Sequence, residues 1–191
     1  MDELCRVSRR AYDRGLVAGT GGNMSIRIPG TKSVAITATG VALDAVTRDS
    51  VIVVDFDGKV IEASPGLRPS KETPMHLAFY KLRPQVSAVL HVHPPFATAL
   101  TLGSCEMPLM TIQAKLNLKR VPVVPVAKPG SADLAELAGS AASLNPESRV
   151  VGLGEHGIIT AADSAWTAYY LSDLAEENAK VVLLSRLAAM T

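Results

Sequence analysis

Three of the four histidines in this sequence, together with one glutamate, are spaced for a metal site. His91-Val92-His93 closes the apolar run Val86-Ser87-Ala88-Val89-Leu90. In a β-strand, residues i and i+2 face the same side about 6.8 Å apart. Two imidazoles placed that way reach one ion at nitrogen–metal distances of about 2.0–2.1 Å. Pro94-Pro95 then ends the strand and leaves both rings at a sheet edge. His156 lies in Gly154-Glu155-His156-Gly157, between two short apolar runs, and its flanking glycines permit close backbone approach. Glu72, in Pro69-Ser70-Lys71-Glu72, precedes the first turn of a helix, where the positive end of the dipole favours a carboxylate. Three imidazoles and one carboxylate form a four-ligand set for Zn²⁺, or another divalent first-row ion such as Mn²⁺ or Co²⁺. A lone histidine is more often a hydrogen-bonded structural residue, so the grouping carries this reading. Glu72 with His76, i and i+4 on one helix face, is a rival chelating pair. The strand pair is the stronger anchor, which leaves His76 a supporting or structural role.

Donor-rich loops form the second feature. In Gly19-Thr20-Gly21-Gly22-Asn23-Met24-Ser25, glycines let backbone N–H groups converge on an anion, and Thr, Asn and Ser add side-chain donors. A dinucleotide fingerprint is absent, because the Gly-x-Gly-x-x-Gly spacing is missing and a strand rather than a helix follows. Thr37-Ala38-Thr39-Gly40 is a second such turn, and Ser70-Lys71 adds a hydroxyl and an ammonium beside Glu72. Together they suit a phosphate ester. No Gly-x-Ser-x-Gly elbow is present, and neither cysteine has a local motif for covalent chemistry. Lys128-Pro129-Gly130 reads as a solvated turn, and Tyr169 and Tyr170 as core or interface residues.

These groups need a scaffold. The 191 residues are 48% hydrophobic and 19% charged, the composition of an α/β interior in a single domain spanning 1–191. Net charge +1 and the lack of a Lys/Arg stripe argue against nucleic acid. Cys5 and Cys105 have no CxxC partners and read as free thiols of a reducing compartment. There is no leader-like apolar segment at the start and no run long enough to span a membrane, so a cytoplasmic location is expected. The positive mean hydropathy of +0.22 hints at apolar surface covered by other subunits.

Strands are expected at 24–28, 33–37 and 51–55, with Asp57-Gly58 turning into 59–61. Further strands are expected at 87–93, 149–152 and 157–160, and a short extended piece at 121–125. Helices are expected around Leu4, Val7 and Ala11, at 74–82, 96–102 and 133–140, and in a long final helix capped by Asp163. In that last helix Leu171, Leu174, Ala175, Asn178 and Val182 keep the rhythm of a core-facing stripe. The order lacks strict βαβ alternation. A three-layer α/β/α sandwich around a mixed, largely antiparallel sheet is the expected fold.

The motifs, taken in order, resemble the class II aldolase/adducin superfamily, the group of fuculose-phosphate aldolase. The resemblance runs from Gly-Thr-Gly-Gly-Asn-Met-Ser to Gly-Glu-His-Gly, nearly the whole chain. It implies metal ligands at His91, His93 and His156, and a Glu72 that is both ligand and general acid/base. It also implies phosphate binding by Gly22, Asn23, Thr39, Gly40, Ser70 and Lys71. The implied activity is carbon–carbon cleavage of a small phosphorylated sugar through a metal-stabilised enediolate, giving dihydroxyacetone phosphate and an aldehyde. Members are typically fourfold-symmetric tetramers with active sites at subunit interfaces. Fuculose-phosphate aldolase carries two serines before the glutamate; Ser70-Lys71 is closer to the 3-oxo-tetronate 4-phosphate decarboxylases, which makes decarboxylation the alternative. The aldolase's tyrosine has no counterpart in 109–114, nor its tyrosine-bearing tail before Thr191. Epimerase or dehydratase chemistry, and a non-catalytic scaffold of the adducin type, are the remaining readings the resemblance allows.

Overall fold

Alternation along the strands decides the architecture. The computed structural model describes residues 1–190. Its strands are β1 (Asn23–Arg27), β2 (Ser33–Thr37), β3 (Val51–Asp55), β4 (Val60–Glu62), β5 (Ala88–Val92), β6 (Val123–Val124), β7 (Val150–Leu153) and β8 (Gly157–Ala162). Its helices are α1 (Asp2–Asp13), α2 (Thr73–Leu82), α3 (Pro95–Thr101), α4 (Ile112–Asn117), α5 (Ala132–Leu144) and α6 (Ala165–Ala188). The strands form one sheet in the order β4-β3-β2-β1-β5-β8-β7-β6. Every pairing is antiparallel except β6 with β7.

Successive side chains of a strand point to opposite faces, and both faces are covered. Met24, Ala35, Leu90, Val92 and Ile158 pack on one side with Leu4 and Val7 of α1, Leu100 of α3 and Ala175 and Val182 of α6. Val34, Ile36, Val89, Val151 and Ile159 pack on the other with Met75, Phe79 and Tyr80 of α2 and Leu134 and Ala138 of α5. The result is the expected α/β/α sandwich. Burying such side chains contributes roughly 1.5–3 kcal/mol each, so both apolar faces require their helical covers.

Several elements differ from the sequence expectation. β5 has β1 and β8 as neighbours, so His91 and His93 stand at the end of an interior strand and not at a sheet edge. Pro94 and Pro95 still end the strand, and Pro95 opens α3. The final helix is capped by Ser164, whose hydroxyl accepts from the Thr167 N–H; Asp163 lies one residue before the cap. α4 was not expected, being only one and a half turns long and capped by the Thr111 hydroxyl. In the final stripe Leu171, Ala175, Asn178 and Val182 are buried, and Leu174 is half-buried against the same core. No helix of the described residues is long and apolar enough to cross a membrane.

Candidate metal and active site

The period-two alternation of β1 and β5 supplies the site with its side chains. Leu90 and Val92 face α3 and α6, so His91 faces α2. Met24 likewise turns towards α1, leaving Asn23 and Ser25 on the α2 side. Asn23 is directly opposite His91 in the antiparallel pairing. Glu72 is the residue at which α2 begins, with Pro74 in the first helical turn. The Ser70 hydroxyl accepts from the Glu72 N–H at 3.3 Å, and Thr73 Oγ1 donates to the Ser70 carbonyl at 2.6 Å, so this entry turn is braced.

His156 is delivered by the tight β7–β8 turn. Glu155 there adopts φ +56°, a left-handed conformation uncommon outside glycine, and its N–H donates to Thr101 Oγ1 at 3.2 Å. Gly157 follows at φ +151°, where a Cβ would lie 2.3 Å from the Val92 carbonyl oxygen. Only glycine lets this turn close against the end of β5.

The three histidines and Glu72 converge. Ring centroids of His91, His93 and His156 are 4.7–4.9 Å apart, and one ligand atom from each lies within 4.8 Å of the others. Glu72 Oε2 is 3.1 Å from His91 Nε2, and Oε1 is 3.5 Å from His156 Nε2. His91 Nδ1 donates to the Ile158 carbonyl at 2.9 Å, which commits its ring proton and turns the Nε2 lone pair towards Glu72 and towards His93 Nε2, 2.8 Å away. Electron-rich atoms at such distances in a buried place repel unless a proton or a cation lies among them. Glu72 Oε1 is buried without a hydrogen-bond partner, which is the same demand seen from the carboxylate. The donor set, three imidazole nitrogens and a carboxylate, fits a divalent first-row cation.

Protonation favours the same outcome. Burial pushes His93 down to about 3, with the neighbouring His91 ring acting in the same direction. Burial also lowers His156, to about 4. For Glu72, burial acts to raise the pKa, but the close approach of His91 and the hydrogen bond from the Asn23 amide outweigh it and hold the carboxyl well below the usual range. At neutral pH His93 and His156 are neutral and Glu72 is ionised, the states in which they ligate metals.

His76 does not join this cluster. It is fully buried, its Nε2 faces Asn23 and its Nδ1 faces Ser25, so the Glu72–His76 chelate is not formed. Burial lowers its pKa to about 3.

All six residues expected at a phosphate site line one cavity of about 260 Å³ beside Glu72, His93 and His156: Gly22, Asn23, Thr39, Gly40, Ser70 and Lys71. His91 lies behind them, fully buried. The loops are held together by backbone hydrogen bonds from Thr39 N to Arg68 O (3.0 Å) and Ser70 N to Thr37 O (3.1 Å). Gly22 closes against β5: at φ +73° its missing Cβ would meet the His91 carbonyl at 2.9 Å. Thr20, Gly21 and Ala38, within the two donor-rich loops, also line the cavity, and so does Pro129, which the sequence did not connect with the site. Lys128 and Pro129 are exposed in a turn, as expected, and Pro129 in addition lines the cavity; the adjacent Gly130 lies so close to Lys71 that a Cβ on it would meet the Lys71 carbonyl oxygen at 3.0 Å. Nothing in the local sequence announces a contact between loops so far apart. Tyr169 is buried and Tyr170 is exposed, stacked on Trp166.

Residues 2–183 match the sequence profile of the class II aldolase and adducin N-terminal domain. The L-fuculose phosphate aldolase of Methanococcus vannielii is 33% identical over 181 residues, covering 95% of this chain and 94% of its own. The 3-oxo-tetronate 4-phosphate decarboxylase of Escherichia coli is 30% identical over 192 residues, covering 96% of this chain and 85% of its own. A solved L-fuculose 1-phosphate aldolase superposes with a TM-score of 0.85 at 28% identity, covering 97% of this chain and 85% of that one. With its profile match, its relatives and its fold in agreement, the chain belongs to the class II aldolase and adducin N-terminal domain family.

Proposed function

We propose that this protein is a divalent-metal-dependent carbon–carbon lyase acting on a small phosphorylated sugar, with aldol cleavage to dihydroxyacetone phosphate and an aldehyde as its reaction. The observation that carries this is the opening of the His93, His156 and Glu72 end of the cluster into a cavity ringed by donor-bearing loops. His91, His93 and His156 would hold the ion, zinc or another first-row divalent metal, with Glu72 completing the set. When bound, the ion supplies a Lewis acid that offsets the negative charge developing on substrate oxygens as the carbon–carbon bond breaks.

The chain's own groups account for the rest. Backbone and side-chain donors at Gly22, Asn23, Thr39, Gly40 and Ser70, with the Lys71 ammonium, bind the phosphate and convert remote binding energy into orientation of the reacting carbons. Glu72, ionised and hydrogen-bonded to Asn23, takes the proton from the substrate hydroxyl as the bond between the fragments breaks. The electron pair stays on the ketose-derived fragment as its enediolate, which is then protonated. By analogy with the family, we further propose a cytoplasmic homotetramer.

A second reading, decarboxylation of a 3-oxo-tetronate 4-phosphate-type sugar acid, is favoured by Lys71. It is the one Lys or Arg lining the cavity among the described residues, and so a counter-charge for a second anionic group. The test is incubation of metal-replete protein with fuculose 1-phosphate, ribulose 1-phosphate and 3-oxo-tetronate 4-phosphate, following dihydroxyacetone phosphate and CO₂ together. Dihydroxyacetone phosphate with an aldehyde supports the aldolase; its release with CO₂ supports the decarboxylase. Turnover of none of the three would refute both.

A further inference from the structure

Five polar side chains form one hydrogen-bonded row between the sheet and α2. Tyr80 Oη lies 2.9 Å from Ser25 Oγ, and Ser25 Oγ lies 2.7 Å from His76 Nδ1. His76 Nε2 lies 2.6 Å from Asn23 Oδ1, and Asn23 Nδ2 lies 2.8 Å from Glu72 Oε2. The row follows from two periodicities. Asn23 and Ser25 are i and i+2 on β1, while Glu72, His76 and Tyr80 are i, i+4 and i+8 along α2, so a strand face meets a helix face rung by rung. None of the five is more than 6% exposed, so solvent cannot supply missing partners.

The ionised end of the row fixes the direction of every hydrogen bond. A carboxylate only accepts, so Asn23 must present its NH₂ to Glu72 and its carbonyl to His76. His76 must then carry its proton on Nε2, leaving Nδ1 to accept from the Ser25 hydroxyl. Ser25 Oγ in turn accepts from the Tyr80 hydroxyl. One assignment satisfies every hydrogen bond along the row, and reversing any of them leaves a further buried polar atom unpaired.

We infer that His76 is a positioning residue: it clamps the Asn23 amide in the orientation that aims the Glu72 carboxylate at the histidine cluster. The second N–H of the same amide is left for the cavity that Asn23 lines, so the clamp also orients a donor of the proposed phosphate loop. This inference rests on the proposed role of Glu72 for its kinetic consequences. Its tautomer consequence stands apart from any activity.

The experiment therefore has two arms. Long-range ¹H–¹⁵N NMR spectra of metal-free wild-type protein at neutral pH report which His76 ring nitrogen is protonated. The expected form is Nε2–H with Nδ1 bare; a proton on Nδ1 overturns the inference whether or not the protein cleaves any sugar phosphate. In the second arm, His76→Leu and His76→Gln are compared in kcat and KM on whichever of the three substrates the wild type turns over. Removing the clamp is expected to lower kcat by roughly 10–100-fold in the Leu variant. Gln, which can again offer an N–H to Asn23, recovers part of that loss. A merely structural His76 gives the opposite order, because Leu suits a buried site better than an amide does. Equal kcat in the two variants, or wild-type kcat in His76→Leu, overturns the inference. Absence of turnover by the wild type refutes the lyase reading alone, and the NMR arm still decides the clamp.

Discussion

Acid should destabilise the metal-free protein by a route that His76 exposes. Its imidazole is fully buried and its pKa is lowered to about 3 from 6.5, with burial as the main cause. A histidine depressed in the folded state contributes full stability above its unfolded pKa, and loses it as pH falls from about 6.5 towards 3. In that window the unfolded chain takes up a proton that the folded chain refuses. The slope is about 1.4 kcal/mol per pH unit for one proton. Between pH 7.5 and pH 5 the loss integrates to about 2 kcal/mol from His76 alone, a large fraction of an ordinary domain's stability. His93 and His156 are shifted the same way and add to it, less per group because they are partly exposed. Glu72, depressed below the carboxylate range, adds its own loss only at lower pH, as it is protonated. The assay is urea unfolding of chelator-treated protein, at fixed concentration, in half-unit steps from pH 7.5 to 4.5. His76→Gln removes one titrating group and should flatten the stability–pH slope by about one proton, or 1.4 kcal/mol per unit, below pH 6. Parallel slopes for the wild type and the variant would refute the claim that His76 is held neutral.

Three further outcomes are expected. Glu72→Gln keeps the shape and much of the bound metal but loses the base, so turnover should fall by roughly 10²–10⁴-fold while metal content measured by elemental analysis stays near wild type; full activity would remove Glu72 from the mechanism. His93→Ala should lose metal and turnover together, and should abolish the stabilisation of the wild type by added Zn²⁺, which at 100 times Kd amounts to about 2.7 kcal/mol and is read as a shift in Tm. Gly157→Ala forces a Cβ against the Val92 carbonyl at a backbone angle only glycine favours, so Tm should drop by an amount equivalent to about 1–3 kcal/mol; an unchanged Tm would mean the turn relaxes freely.

What was legible in the sequence was what depends on period and local chemistry. His91-Val92-His93 at a strand end needs only the two-residue repeat, and Glu72 ahead of Pro74 needs only the helix-start rule; both positions stand in the structure. The all-round burial of β5 was readable in its continuous apolar run, yet not the strand's place in the sheet. Strand order is a matter of long-range pairing, and Pro-Pro after a strand marks its end equally well in the middle of a sheet and at its margin. The Pro129–Lys71 proximity was invisible for the same reason, because it joins loops more than fifty residues apart. Ser164 displaced Asp163 as the helix cap by one residue. Both side chains are good caps, and only the backbone angle at the cap distinguishes them.

The relation of Glu72 to its two neighbourhoods explains why β1 and α2 are built as they are. One carboxylate oxygen faces Asn23 and His91, while the other, without a hydrogen-bond partner, faces His156 and the cavity. A carboxylate that both ligates a metal and moves a proton must be held firmly enough to keep its aim and loosely enough to be released. A single hydrogen bond from a neutral amide, itself braced by a buried imidazole, is a weaker tether than an arginine would be and a more directional one than water. An arginine at position 23 would form a bidentate pair with Glu72 and remove it from the chemistry, whereas an alanine would leave it unaimed. Asn23 lies between these extremes, and the buried row behind it makes one flexible amide behave as a fixed part of the sheet.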